Sequence, residues 1–158
     1  MNLKVGFGFD VHQLDKGKEL ILGGVKIPYE KGFVAHSDGD VLIHSICDAL
    51  LGAANLRDIG FHFPDTAEEF KGIDSKILLK RTNDLLKSNG YSVVNTDSTI
   101  CLQKPRIKDI IPSMQKVLSE ILEVPEDNIS IKATTTEKLG FVGREEGVSV
   151  YTICLISK

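Results

Sequence analysis

The stretch Val5 to His12 reads VGFGFDVH. Every second residue, Val5, Phe7, Phe9 and Val11, is bulky and apolar, which is the period of a β-strand. The alternate positions are Gly6, Gly8, Asp10 and His12, so two glycines, an acid and an imidazole share the opposite face. Glycines on a strand face leave room for another backbone or a ligand to come close. That face therefore has room for a close neighbour, with Asp10 and His12 projecting together beside it. The D-x-H spacing alone is a weak motif, equally suited to a surface acid and a surface histidine at a strand end.

The rest of the chain interleaves strand and helix patterns. Residues 3–12 are predicted as a strand, and ELILGGVKIPYEKG as two short strands around Gly23-Gly24. HSDGDVLIHSICDALLGAAN reads as a helix capped by Ser37 or Asp38. Residues 55–73 are expected to be mostly loop. A second helix is predicted from about Asp74 to Asn89, ended by Gly90. SVVNTDSTICLQ reads as a strand. A third helix is placed between Pro105 and Leu122, with Ile111, Met114, Leu118 and Ile121 on one face. NISIKATT and VSVYTICLI are the last strands. This order implies one domain over 1–158, an α+β two-layer sandwich with one mixed sheet covered on one side by helices.

The 158 residues suffice for one sizeable core. A net charge of -3 argues against a general nucleic-acid binder. No stretch reaches membrane-spanning length, and MNLKVGFGFD lacks an apolar leader, so the expected location is the cytoplasm, with no membrane partner. Cys47, Cys101 and Cys154 are dispersed and odd in number, which fits reduced core thiols and neither a disulfide framework nor a metal knuckle.

In the apolar first helix, Asp40, His44 and Asp48 stand at i, i+4 and i+8, in one narrow sector with Ser37. Charges on such a helix are costly unless paired or bound. The simple reading is a solvated face with a lone satisfied histidine. Joined to the strand, however, the helix completes a set of Asp10, His12 and His44. Two imidazoles and a carboxylate leave an open position, as in catalytic Zn²⁺ sites. The same set suits a non-haem Fe(II) oxygenase. A zinc-stabilised, non-catalytic binding module is a further alternative.

Several motifs then act together: DVH at 10–12, IPYEKG at 27–32, AHSDGDV at 35–41, DALLGAA at 48–54, DIG at 58–60, FPDT at 63–66 and IKATTTEKLGF at 131–141. In this order and over nearly the whole chain, they resemble the 2-C-methyl-D-erythritol 2,4-cyclodiphosphate synthases of the methylerythritol phosphate route to isoprenoid precursors. The resemblance implies a lyase acting on 4-diphosphocytidyl-2-C-methyl-D-erythritol 2-phosphate. The 2-phosphate attacks the β-phosphorus, CMP leaves and a cyclic diphosphate forms. Such chemistry depends on in-line positioning and charge shielding.

Carried over residue by residue, Asp10, His12 and His44 match the ligands of one zinc per subunit. His36, Thr135 and Asp58 match the catalytic positions, with Asp58 accepting from the erythritol hydroxyls. Val11, Ser37, Ile59, Gly60 and the loop Phe63, Pro64, Asp65 and Thr66 match substrate contacts. Thr134, Thr135, Thr136 and Glu137 match the segment that meets the cytidine diphosphate, with Glu137 on a second cation, Mg²⁺ or Mn²⁺. The spacing T-x-x-E also fits a helix capping box from Thr134 to Glu137. Phe141 and Arg144 complete the set.

The chain departs from the pattern in places. The nucleotide loop, often A-Q-A-P-K-M, is here Leu102, Gln103, Lys104, Pro105, Arg106, Ile107 and Lys108, and its contacts are expected to be largely main-chain. Ala67 stands where an acid often follows FPDT, and His62 reads as a loop residue. The resemblance further implies a homotrimer with sites between subunits. It also implies a central channel that in some members binds an isoprenoid diphosphate beside the arginine matching Arg144.

Overall fold

A computed structural model describes residues 2–158. The first strand, β1 (Leu3–Lys16), runs four residues beyond the expected end and forms the spine of a five-stranded sheet. Its neighbours are β4 (Lys31–Val34) and the last strand, β7 (Gly147–Ser157), both antiparallel to it. Beyond β7 lie β5 (Ser92–Cys101), antiparallel to β7, and β6 (Ile129–Thr134), parallel to β5. The sheet is thus mixed, as expected. β2 (Leu20–Leu22) and β3 (Val25–Ile27) form a separate hairpin around Gly23-Gly24.

One sheet face carries α1 (Val41–Ala53), with α3 (Ser75–Ser88) and α4 (Ile111–Leu122) packed beside it. Gly6 and Gly8 explain how close α1 comes. A Cβ on Gly6 would lie 1.9 Å from the carbonyl oxygen of Ala49, and one on Gly8 2.1 Å from that of Ser45. The neighbour for which these glycines leave room is therefore helix backbone. Ile46, Leu50, Ile100, Val150 and Ile156 are fully buried between the layers. Val5, Phe7, Phe9, Val11, Tyr151 and Ile153 stand exposed on the uncovered face.

Three boundaries correct the sequence reading. The N-cap of α1 is Asp40, not Ser37 or Asp38, because Gly39 at φ +74° keeps the preceding residues out of the helix. α4 begins at Ile111 instead of Pro105: Ile107 turns into the core, and Pro112 sits in the first turn, where its missing N–H does no harm. The loop 55–73 contains a short helix, α2 (Ile59–His62), and a 3-10 turn at Glu68–Phe70. The capping box at Thr134 also fails. Thr134 ends β6, Glu137 has φ +53°, and the next helix, α5 (Gly140–Gly143), starts from Leu139 without a side-chain cap.

Candidate active site

His12 follows Asp10 on the glycine face of β1, just beyond the point where α1 crosses. His44 lies in the first turn of α1 and so reaches the same spot. The Asp10 Oδ2 atom is 3.0 Å from His12 Nδ1 and 3.3 Å from His44 Nδ1. The three ligand atoms lie within 4.8 Å of one another. Asp10 Oδ2 and His12 Nδ1 are buried without a hydrogen-bond partner. Two lone-pair atoms left facing each other in this way fit a bound cation, since an unpaired buried polar group is otherwise costly.

The other members of the helix stripe serve the fold. Asp40 is fully buried, and its carboxylate accepts from the backbone N–H groups of Gly23, Gly24 and Ile43 at 2.7–3.0 Å. It thereby pins the β2–β3 turn to the start of α1. Burial pushes its pKa up to about 6. Asp48 accepts from Ile59 N–H at 3.2 Å and holds α2 in place. Of Asp40, His44 and Asp48, only His44 faces the Asp10 cluster.

The cluster forms one end of a cavity of about 400 Å³. Val11, His36, Ser37, Ile59, Gly60, Phe63 and Asp65 line it, as do Phe70, Ile73 and Leu78, which were not foreseen. His36 Nε2 is 3.3 Å from the carbonyl oxygen of Ala67, so that position contributes main chain where an acidic side chain was lacking. Asp58, Pro64 and Thr66 stand outside this lining. Asp58 is exposed at the N-terminus of α2, and Arg57 stacks over the Phe61 ring at 4.3 Å instead of pairing with it. His62 ends α2 with its Nε2 2.6 Å from the carbonyl oxygen of Leu56.

A second cleft, of about 290 Å³, lies between Leu102–Lys108 and Ala133–Thr135. Leu102 and Ile107 are buried and anchor its loop, leaving Lys104, Arg106 and Lys108 exposed. Gln103 Oε1 accepts from Lys138 N–H at 3.2 Å, which ties this loop to the threonine-rich segment. Glu137 is exposed there. The sheet register aligns Asp10, Val150, Ile100 and Ala133, so cleft and cavity occupy the same rim. Three strand spacings, roughly 15 Å, separate them within one chain. Arg144 belongs to neither. It pairs with Glu146 through two contacts of 3.0 and 3.1 Å.

The YgbB family model matches residues 3–157. The chain belongs to the YgbB family. Among its relatives, the 2-C-methyl-D-erythritol 2,4-cyclodiphosphate synthase of Bacteroides fragilis is 63% identical over 158 residues, covering 100% of this chain and 99% of that one. The synthase of Porphyromonas gingivalis is 57% identical, covering 97% and 94%. Among solved structures, the bifunctional IspDF of Campylobacter jejuni superposes with a TM-score of 0.94 at 44% identity, over 98% of this chain and 42% of that chain. A CDP-bound 2C-methyl-D-erythritol-2,4-cyclodiphosphate synthase gives 0.90 at 32% identity, over 98% and 100%. These YgbB relatives confirm the α+β fold and the family resemblance, and their names do not favour the oxygenase or binding-module alternatives. Among the described residues, no helix is long and apolar enough to cross a membrane.

Proposed function

We propose that this YgbB-family chain cyclises 4-diphosphocytidyl-2-C-methyl-D-erythritol 2-phosphate to 2-C-methyl-D-erythritol 2,4-cyclodiphosphate, releasing CMP. The observation that carries the reading is the Asp10–His12–His44 cluster, with its unpartnered Oδ2 and Nδ1, in a chain matching synthases from end to end. These three residues would hold one divalent cation, zinc in our reading. The cation, when bound, supplies Lewis-acid polarisation of a phosphoryl oxygen. His36 and Ser37, on the adjoining wall, orient the substrate phosphates and donate to their oxygens. Asp58 accepts from the erythritol hydroxyls, and Ile59 and Gly60 give the pocket its floor.

The cleft of residues 102–108 and 133–135 takes the cytidine diphosphate, with Thr135 and nearby main-chain N–H groups meeting phosphate oxygens and Glu137 holding Mg²⁺ or Mn²⁺. The roughly 15 Å between cleft and cavity in one chain supports a site shared between subunits of a homotrimer. The exposed apolar face of Val5, Phe7, Phe9, Tyr151 and Ile153 supports a subunit contact there. The proposed setting is cytoplasmic.

The test is incubation of the purified protein with the cytidyl substrate and a divalent cation, following CMP by chromatography. CMP and cyclic diphosphate in equal amounts are expected. Stoichiometric iron with oxygen-dependent turnover, and no CMP, would overturn the reading.

A further inference from the structure

His44 has a second ring nitrogen, and its surroundings are as specific as those of the first. Nε2 lies 2.9 Å from Ser75 Oγ at the start of α3. Ser75 is fully buried, and its hydroxyl donates to Asp38 Oδ1. Asp38 Oδ2 also accepts from Ser75 N–H at 2.9 Å, and Oδ1 from Asp40 N–H at 3.1 Å. A clasp of main chain holds these groups in register: Asp38 N–H donates to Ile73 O at 3.1 Å, and Gly72 N–H to His36 O at 2.7 Å.

Counting protons along this line fixes its direction. A serine hydroxyl has one proton, and a carboxylate has none to give. With that proton on the bond to Asp38, Ser75 Oγ offers His44 only a lone pair. His44 Nε2 must then be the donor, and the lone pair of the neutral ring falls on Nδ1, which faces Asp10 Oδ2 at 3.3 Å. Ser37 Oγ, 3.4 Å from the same Nε2, offers a weaker second acceptor. We infer that Ser75 and Asp38 form an orienting relay that locks His44 in its Nε2–H tautomer and presents Nδ1 to the divalent cation. This rests on the reading of Asp10, His12 and His44 as the cation site. Both are positioning residues, acting through His44. Because Asp38 neighbours Ser37 and His36, the relay also couples the phosphate-facing loop to the metal pocket.

The experiment uses the full chain labelled with ¹⁵N-histidine, stripped of metal by chelation and held where imidazoles are neutral. Long-range ¹H–¹⁵N spectra should show His44 as the Nε2–H tautomer. Ser75→Ala should give a mixture of tautomers, and Asp38→Asn a shift in the same direction, since its amide frees the Ser75 proton to turn. Zinc affinity, read by competition with a chromophoric chelator, should weaken by about 10–100-fold in Ser75→Ala. A merely structural serine would lower the melting temperature without moving the tautomer. An Nδ1–H signal in the unmodified protein overturns the relay even if neither variant folds. So do an unchanged tautomer and an affinity within twofold in Ser75→Ala. If the unmodified chain binds no zinc while His44 is Nε2–H, the relay stands as geometry and the cation reading is what fails.

Discussion

The metal pocket draws its lining from β1, β4, the loop 35–40, α1, α2 and α3, and its ligand side chains are 11–26% exposed. The cleft at the other end of the same rim draws on the loop 102–108, the first residue of α4, the end of β6 and Thr135, and its polar residues stand largely in solvent. In the pocket, each buried polar atom has a partner or is left visibly without one, so residue identity is tightly constrained. In the cleft, loop shape is held by buried Leu102 and Ile107, and what faces outward is free to vary. The departure of this chain from A-Q-A-P-K-M falls there and nowhere near Asp10. A site built from buried side chains thus leaves a sharp mark on a sequence, while a site built from main chain leaves a faint one.

The comparison is tested hardest at the pocket. His44→Ala should abolish retention of the divalent cation, read by metal analysis of the purified protein. CMP release should fall by more than about a hundredfold, the upper range for outer partners of a metal. Thr135→Ala, in the exposed cleft, should leave metal content unchanged. Retained stoichiometric metal in His44→Ala would show that Asp10, His12 and His44 are not the cation site.

Next in size is the helix–strand contact that builds the pocket. In Gly8→Ala the new methyl would meet Ser45 O at 2.1 Å and Ala49 N at 2.7 Å, both backbone atoms that cannot swing aside. A loss of about 1–3 kcal/mol or more is expected in denaturant unfolding, with weaker metal binding as α1 and His44 shift. Thr135→Ala should stay within about 0.5 kcal/mol of the parent. Equal stabilities would mean that α1 does not rest on the glycine face.

These residues also show how far the sequence was legible. The alternation of Val5 to His12 announced both the sheet and the ligand face, because strand parity survives any tertiary detail. The amphipathic pattern of 111–121 marked α4, but its start was hidden, since nothing local says that Ile107 turns inward. Asp40 and Asp48 shared a helical sector with His44, and periodicity alone could not tell a buried cap from a ligand. Asp38 was marked only as a cap candidate and Ser75 gave no signal, because a hydroxyl 31 positions from the histidine it meets has no spacing rule. The proposed nucleotide role of the loop 102–108 was reached through resemblance alone.

A third test asks whether pocket and cleft from different subunits cooperate. His12→Ala and the double variant Thr135→Ala with Glu137→Ala should each form inactive oligomers. Co-expressed in equal amounts around a head-to-tail ring, they leave about a quarter of the interfaces with both halves intact. Activity near a quarter of the parent is expected over the whole assorted population, with mixing shown by co-purification of differently tagged subunits. Mixed rings without activity would place cavity and cleft in one chain.

The smallest effect concerns Lys104, a residue of the loop 102–108. Its Nζ lies 3.5 Å from Glu145 Oε1. Glu145 itself sits at φ +57°, accepts from the Tyr29 hydroxyl at 2.8 Å, and has Lys31 Nζ at 4.0 Å. The hydrogen bond from Tyr29, helped by Lys104 and Lys31, holds its carboxyl below the ordinary range. Lys104 is well exposed, so the pair should contribute under about 1 kcal/mol, or no more than about fivefold in KM. The direction is the informative part. If Glu145 positions the loop through Lys104, then Lys104→Ala and Glu145→Gln should each raise KM, and the double variant should add nothing further. If Lys104 instead meets the substrate diphosphate directly, Glu145→Gln frees it from a competing acid and KM should fall. We expect the first pattern, because Tyr29 and Lys31 already hold Glu145 on the sheet edge and Lys104 is the mobile partner that it can steady. A fall in KM for Glu145→Gln would show that even this departure from the family's loop acts by charge on the substrate and not by shaping the cleft.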